Sequence, residues 1–160
     1  MQINQDVFIH QGISDTQISQ LIEYSHTDSE IKKFTSDPVR FKDRNAFNQW
    51  LLKGRVIYTL SDKDKNLLGI VWFGHKNPPV DKTPANFTFA IRIYELARGQ
   101  GLSSKFMKIT FKDFFKNHQP PIITGIWLET SCNNLAAIHV YQKFGFKTIS
   151  QDGDSLIMVL

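Results

Sequence analysis

The chain has 160 residues, 41% hydrophobic and 21% charged, enough for one domain with a sizeable core. The formal charge of +4 favours an anionic ligand mildly, but no run of five or more basic residues argues for nucleic acid, which is not expected as a partner. One cysteine, Cys132, excludes an internal disulfide, and the absence of a signal-like start or a bilayer-length apolar run makes the cytoplasm the expected location.

Val7-Phe8-Ile9 reads as a short strand, and Ser14 as the N-cap of a helix through Ile18, Leu21 and Ile22. The stretch from Ser25 to Pro38 reads as polar and irregular. Phe47, Trp50 and Leu51 predict a helix over about 41–53, ended by Gly54. Residues 55–60 and 67–74 then predict an antiparallel hairpin around the turn 61–66. Prolines 78, 79 and 84 mark a loop. A strand over 86–94 leads into a helix over about 101–117, which Pro120-Pro121 would break. A strand from Ile122 to Leu128 and a helix over about 134–144 follow, with Gly145 at its C-terminus. Phe146–Ile149 and Leu156–Leu160 close the chain as strands around Asp152-Gly153-Asp154. The order is mixed α/β.

Two stretches carry chemistry. The first is Arg98-Gly99-Gln100-Gly101-Leu102-Ser103, between a predicted strand and a predicted helix. A glycine turn opening a helix leaves backbone N–H groups without helical partners, and the helix dipole adds positive potential. Such a turn suits a phosphate or pyrophosphate. It is not a P-loop, since no Gly-Lys-Ser/Thr closes it. It is not a dinucleotide fingerprint either, since the third glycine is missing. The second stretch runs from Asn134 to Phe146. Asn134 and Tyr141 share one face of its helix, with Ala137 and Ile138 between them. A phenol, with a pKa of about 10, can protonate a departing thiolate. Taken alone, Tyr141 reads as a core aromatic.

The two stretches together resemble the GNAT superfamily of acyl-coenzyme A-dependent N-acyltransferases. The pyrophosphate motif (Arg/Gln)-x-x-Gly-x-(Gly/Ala) matches residues 98–103, with Ser103 as a departure that keeps the position small. The motif Asn-x-x-Ala-x-x-x-Tyr-x-x-x-Gly-Phe matches Asn134, Ala137, Tyr141, Gly145 and Phe146. The resemblance covers about residues 55–150.

It implies a mixed, mostly antiparallel sheet flanked by helices, in which two central parallel strands splay to hold the coenzyme. The chain would be a single domain over 1–160, with 1–54 on the acceptor side and 55–150 as the coenzyme-binding core. Acetyl-coenzyme A is the implied acyl donor, with no metal. The pantetheine arm would pair with backbone at Ile91 and Ile93. The pyrophosphate would sit on Arg98, Gly99, Gln100, Gly101, Leu102 and Ser103, and Asn134 would contact the coenzyme. Tyr141 would be the acid, and Glu95, at the end of the first splayed strand, would receive the amine proton. Glu129 is a weaker candidate for that role. The implied activity is direct acetyl transfer to a primary amine of a small molecule, peptide or protein. The alternative is a non-catalytic acyl-coenzyme A-binding regulatory or sensing module. No membrane is expected, and a homodimer is open because dimers are common in the family.

Among other residues, Cys132 lacks a histidine at a telling spacing and is not read as a nucleophile. His139 reads as structural or exposed, and the remaining histidines show no metal-ligand spacing. Asp28, Glu30 and Asp37 are read either as a solvated loop or as the lining of a pocket for a cationic amine. The basic balance of the chain mildly disfavours polycationic acceptors.

Overall fold

A computed structural model describes residues 1–81, 83–118 and 123–160. The proposed break at Pro120-Pro121 and the strand start at Ile122 lie outside the described residues. The chain builds one eight-stranded sheet from β1 (Gln2–Asn4), β2 (Val7–Gln11), β3 (Val56–Ser61), β4 (Leu67–His75), β5 (Phe87–Ile93), β6 (Ile126–Ser131), β7 (Lys147–Asp152) and β8 (Ser155–Val159). Their order across the sheet is β1-β2-β3-β4-β5-β6-β8-β7. Every neighbouring pair is antiparallel except β5 with β6.

Helices cover both faces. The first is α1 (Asp15–Thr27), with Ser14 and Gln17 forming a reciprocal capping box. Then come α2 (Ser29–Phe34), α3 (Asp37–Arg40) and α4 (Arg44–Leu51). These pack through Leu21, Ile31, Phe41, Phe47 and Trp50 on Ile57, Ile70, Trp72 and Tyr94. On the other face, α5 (Leu102–Asn117) and α6 (Leu135–Phe144) bury Phe106, Phe111, Phe114 and Tyr141 against Tyr58, Val71, Phe73 and Phe89. Strand alternation sorts β3, β4 and β5 side chains between the two cores.

Three segments differ from the sequence expectation, one of them the strand expected over 122–128, which is β6 (Ile126–Ser131) and leaves residues 123–125 outside it. Residues 25–38 are helical rather than irregular: α1 runs on to Thr27, and α2 and α3 follow at once. Each is too short to display an apolar period. What starts them is capping: the Asp28 carboxylate accepts from the N–H groups of Glu30 and Ile31 at 3.1 and 3.2 Å, and Pro38 lies in the first turn of α3. The N-terminal edge strand β1 is the third difference. It carries one apolar residue, so no pattern announces it, and it is held by exchange between the main chains of Met1 and Ile9 at 2.6 and 2.7 Å.

The β5–β6 ladder sets the site. Among the described residues it pairs Phe87 with Ile126 and Thr88 with Trp127 and goes no further. Beyond that point the two parallel strands part.

Candidate functional site

The gap between β5 and β6 opens into a cleft of about 1410 Å³, lined from both faces of the sheet. Hydrogen-bond parity shows which backbone groups face it. Lys76 donates to the Asn86 carbonyl and Tyr94 donates to the Leu68 carbonyl, so even-numbered residues of β5 point at β4. Ile91 and Ile93 alternate with them and point toward β6, where no strand pairs with them. One polar group there is internally engaged: Arg92 Nη1 donates to the Ile91 carbonyl at 3.0 Å.

At the C-terminal end of β5 the chain makes a 3-10 turn, Glu95–Ala97, and then the glycine turn. Gly99 and Gly101 have φ of +76° and +67°, the left-handed region that L side chains adopt at a cost. A Cβ on either would meet nothing within 4 Å, so the space before them is open. Among the described residues, the N–H groups of 99–101 donate to no protein acceptor. The first N–H groups of α5 have no helical acceptor by geometry, and no side chain caps the helix. A continuous row of unpartnered donors thus stands at a helix N-terminus beside open space, an arrangement that suits an anion.

The side chains of this turn divide. Leu102 is buried in the core, and Gln100 is exposed, its Nε2 donating to the Leu96 carbonyl at 2.9 Å. Ser103 and Arg98 line the cleft. Arg98 is ion-paired with the buried Asp28, whose other oxygen caps α2, so the turn is tethered to the opposite layer.

Asn134 and Tyr141 both line the cleft, as Ala137 does between them. Asn134 also caps α6, its Oδ1 accepting from Ala137 N–H at 3.2 Å. Sequence reasoning missed that dual position, although an Asn before a helix signals it. Tyr141 is 6% exposed, edge-on to Phe89 and Phe146. Burial pushes its phenol above its usual range, and Arg92, which pulls the other way, does not offset this. The hydroxyl therefore stays protonated at neutral pH, and among the described residues it makes no hydrogen bond. A phenol in that state can donate a proton or a hydrogen bond but does not act as a base.

Glu95 is not brought to this place. The chain turns directly after β5, and Glu95 lies exposed on the 3-10 turn, outside the cleft lining. Glu129, on β6, does line the cleft, with Oε1 accepting from Ser155 Oγ at 2.6 Å. Glu30 lines it too, but Asp28 and Asp37 do not. Both aspartates are buried in ion pairs with arginines, and neither offers a carboxylate to a cationic amine.

Asp37 receives Arg92 at 2.6 and 3.1 Å and also pairs with Arg40. Burial alone would raise the Asp37 carboxyl; the two guanidiniums overcome it and hold it below the usual carboxylate range. Arg92 lies over Trp72, its guanidinium carbon 4.9 Å from the ring centroid. Sequence reasoning missed Arg92, whose signal is an arginine inside an otherwise apolar strand. Cys132 donates its thiol to Asp154 at 3.1 Å, a bond that raises its pKa and keeps it from thiolate chemistry. His139 is exposed. Among the described residues no cluster of His, Cys, Asp and Glu is arranged to hold a metal ion, and no helix is long and apolar enough to cross a membrane.

This arrangement can be set beside known proteins. The spermidine N-acetyltransferase of Vibrio cholerae, solved with CoA and spermine, superposes with a TM-score of 0.74 at 16% identity, covering 98% of this chain and 96% of that one. A domain from Methanocaldococcus jannaschii gives 0.70 at 17% identity, with 96% and 97% covered. The N-acetyltransferase PseH of Campylobacter jejuni, solved with acetyl coenzyme A, gives 0.61 at 14% identity, with the same coverage. At these identities the likeness concerns the fold. No curated protein sequence matches the chain. The profile of the Acetyltransferase (GNAT) family matches residues 21–146, spanning α2 to α6, the splayed strands and the glycine turn, and the chain belongs to that family of acetyltransferases.

Proposed function

We propose that the protein transfers an acetyl group from acetyl-coenzyme A directly to a primary amine. The observation that carries this reading is the row of unpartnered backbone donors at 99–101, continued into the uncapped N-terminus of α5, at one end of a through-sheet cleft that Tyr141 lines. In this reading the donors of 98–103 hold the pyrophosphate. Ile91 and Ile93 offer backbone to the pantetheine arm as a sheet edge offers it to a peptide. The Asn134 side-chain amide, with its Oδ1 used in the cap, keeps its N–H donors for the coenzyme. Residues 55–150 form the coenzyme-binding core and 1–54 supply acceptor-side helices of a single domain. The location is the cytoplasm, in keeping with a lone reduced cysteine.

The amine nitrogen attacks the thioester carbonyl, a C–N bond forms and the C–S bond breaks. Tyr141 gives its proton to the departing sulfur. The amine proton leaves toward a carboxylate at the cleft; both Glu95 and Glu129 are exposed, but Glu129 lines the cleft and Glu95 does not, so Glu129 is the better situated. No residue need be acylated, in line with the protonated state of Cys132.

The test is release of free coenzyme A thiol from acetyl-coenzyme A over a panel of amines and peptides. Amine-dependent release, with mass spectrometry showing the N-acetyl product, supports transfer. Tight acetyl-coenzyme A binding with no release for any amine supports a sensing module instead.

A further inference from the structure

The acceptor half of the cleft is cationic beyond what the coenzyme's pyrophosphate explains. Among the described residues, seven lysine and arginine side chains line the cleft against three carboxylates. Three guanidiniums gather on one aromatic pair. Trp50 and Trp72 stand edge to face with centroids 5.3 Å apart. Arg92 and Arg40 lie over Trp72 at 4.9 and 5.7 Å, and Arg55 lies over Trp50 at 5.9 Å. Among the described residues only Asp37 is ion-paired with these guanidiniums, and it is already shared by Arg92 and Arg40.

Arg55 has no carboxylate among the described residues. Its Nε and Nη1 are buried without a hydrogen-bond partner. The glycine at position 74 makes room for it: a Cβ there would lie 1.7 Å from Nη1. Burial lowers the Arg55 pKa, and the nearness of Arg55 helps to lower that of Arg40, signs that the charges lack compensation. Arg55 as a whole is half-buried, but a guanidinium with two nitrogens desolvated and unpaired is costly and calls for an anion at its open side.

The pyrophosphate turn is too far to be that anion. Gly74 pairs with Thr88 at the start of β5, and the turn follows the far end of that strand. Six residues of strand separate the levels of Thr88 and Tyr94, roughly 20 Å at about 3.3 Å per residue.

We propose that the amine acceptor carries an oxyanion, carboxylate or phosphate, held between Arg40 and Arg55 against Trp50 and Trp72. This rests on the acetyl-transfer reading of the same cleft. A guanidinium binds either oxyanion through paired N–H donors, and the tryptophan pair supplies an apolar wall for the body of the molecule. Polyamines are disfavoured by the same charges.

The experiment compares kcat/KM for each of the twenty amino acids with its carboxamide, for O-phosphoethanolamine with ethanolamine, and for spermidine. The acidic member of a transferred pair should exceed its neutral counterpart by about 10- to 100-fold, the range expected for hydrogen bonds to charged groups. Which pair shows the preference separates carboxylate from phosphate. Arg55→Met should reduce that ratio to about threefold or less, and Arg55→Lys should restore part of it; circular dichroism checks that both variants fold. Neutral amines or spermidine serving as well as the acids would overturn the proposal, as would an undiminished ratio in Arg55→Met. Thermal shift on the coenzyme A complex separates the two readings. A shift by acidic amines that Arg55→Met abolishes, without any transfer, supports the oxyanion site and sinks the transferase reading. No shift and no acid preference in turnover sinks the oxyanion site alone.

Discussion

Replacing Asp37 by asparagine tests how the acceptor side is held to the sheet. The Asp37 side chain is 1% exposed and that of Arg92 13% exposed, so solvent does little to screen the pair. The amide of the Asp37→Asn variant would keep one acceptor and lose the charge, leaving Arg92 buried with no counter-charge beside Arg40. Removing one partner of a buried pair costs about 3–5 kcal/mol. For 160 residues the unfolding entropy is about 0.34 kcal/mol per degree, so the melting temperature should fall by about 9–15 °C. The assay is thermal and urea unfolding of both proteins from pH 7 down to pH 3. The sign of the pH effect follows from the depressed Asp37 pKa. Its stabilisation is complete above the unfolded value of about 3.9 and is lost as pH falls through the lower folded value. The gap between wild type and variant should therefore be constant from pH 7 to about 5 and narrow only in the acid range. A loss below about 1 kcal/mol at pH 7, the value of an exposed pair, would refute the account of Asp37 as the buried tie between α3 and β5.

Other outcomes follow from the site. Gly101→Ala forces a side chain into the left-handed region at a cost of about 1–2 kcal/mol and puts a methyl into the phosphate space; acetyl-coenzyme A at ~100 times its wild-type Kd, worth roughly 2.7 kcal/mol of stabilisation, should no longer raise Tm, and an undiminished shift moves the phosphates elsewhere. Tyr141→Phe keeps the ring contacts with Phe89 and Phe146 and should cut turnover by ~10²–10⁴-fold with coenzyme affinity little changed; wild-type turnover would make Tyr141 a packing residue. Because burial raises its phenol, the wild-type rate should show no alkaline decline below pH about 10, and a decline centred near pH 8 would contradict the assigned donor. Glu129→Gln and Glu95→Gln are to be compared across pH: the variant whose rate loss shrinks as the free amine, with a pKa of about 10.4, deprotonates by itself marks the proton acceptor, and a loss independent of pH in both excludes them.

Every strand but β1, the two long helices after residue 100 and both motifs were legible because each is local. Runs rich in β-branched and aromatic residues mark β3 to β5, the glycines sit where positive φ opens a helix, and Asn134 and Tyr141 share one helical face at a fixed spacing. The same local grammar placed the glycine turn and the Asn134-to-Phe146 motif in order along the chain, which sufficed for the family. The helices over 29–40 were not legible, since six and four residues carry no period and their start depends on an aspartate cap and a proline. Nor could the chain order say which acid meets the cleft. Glu95 and Glu129 each stand at or near the end of a splayed strand and both are exposed, yet a 3-10 turn carries Glu95 off the cleft lining while β6 keeps Glu129 on it. Asp28 and Asp37 read either as solvated acids or as the lining of an amine pocket because their partners, Arg98 and Arg92, are distant in sequence. The cationic seat at Arg40 and Arg55 likewise exists only where α3, β3 and β4 converge on Trp50 and Trp72. Periodicity and turn chemistry act over a few residues and are written in the chain; charge compensation and desolvation depend on neighbours that only folding brings together.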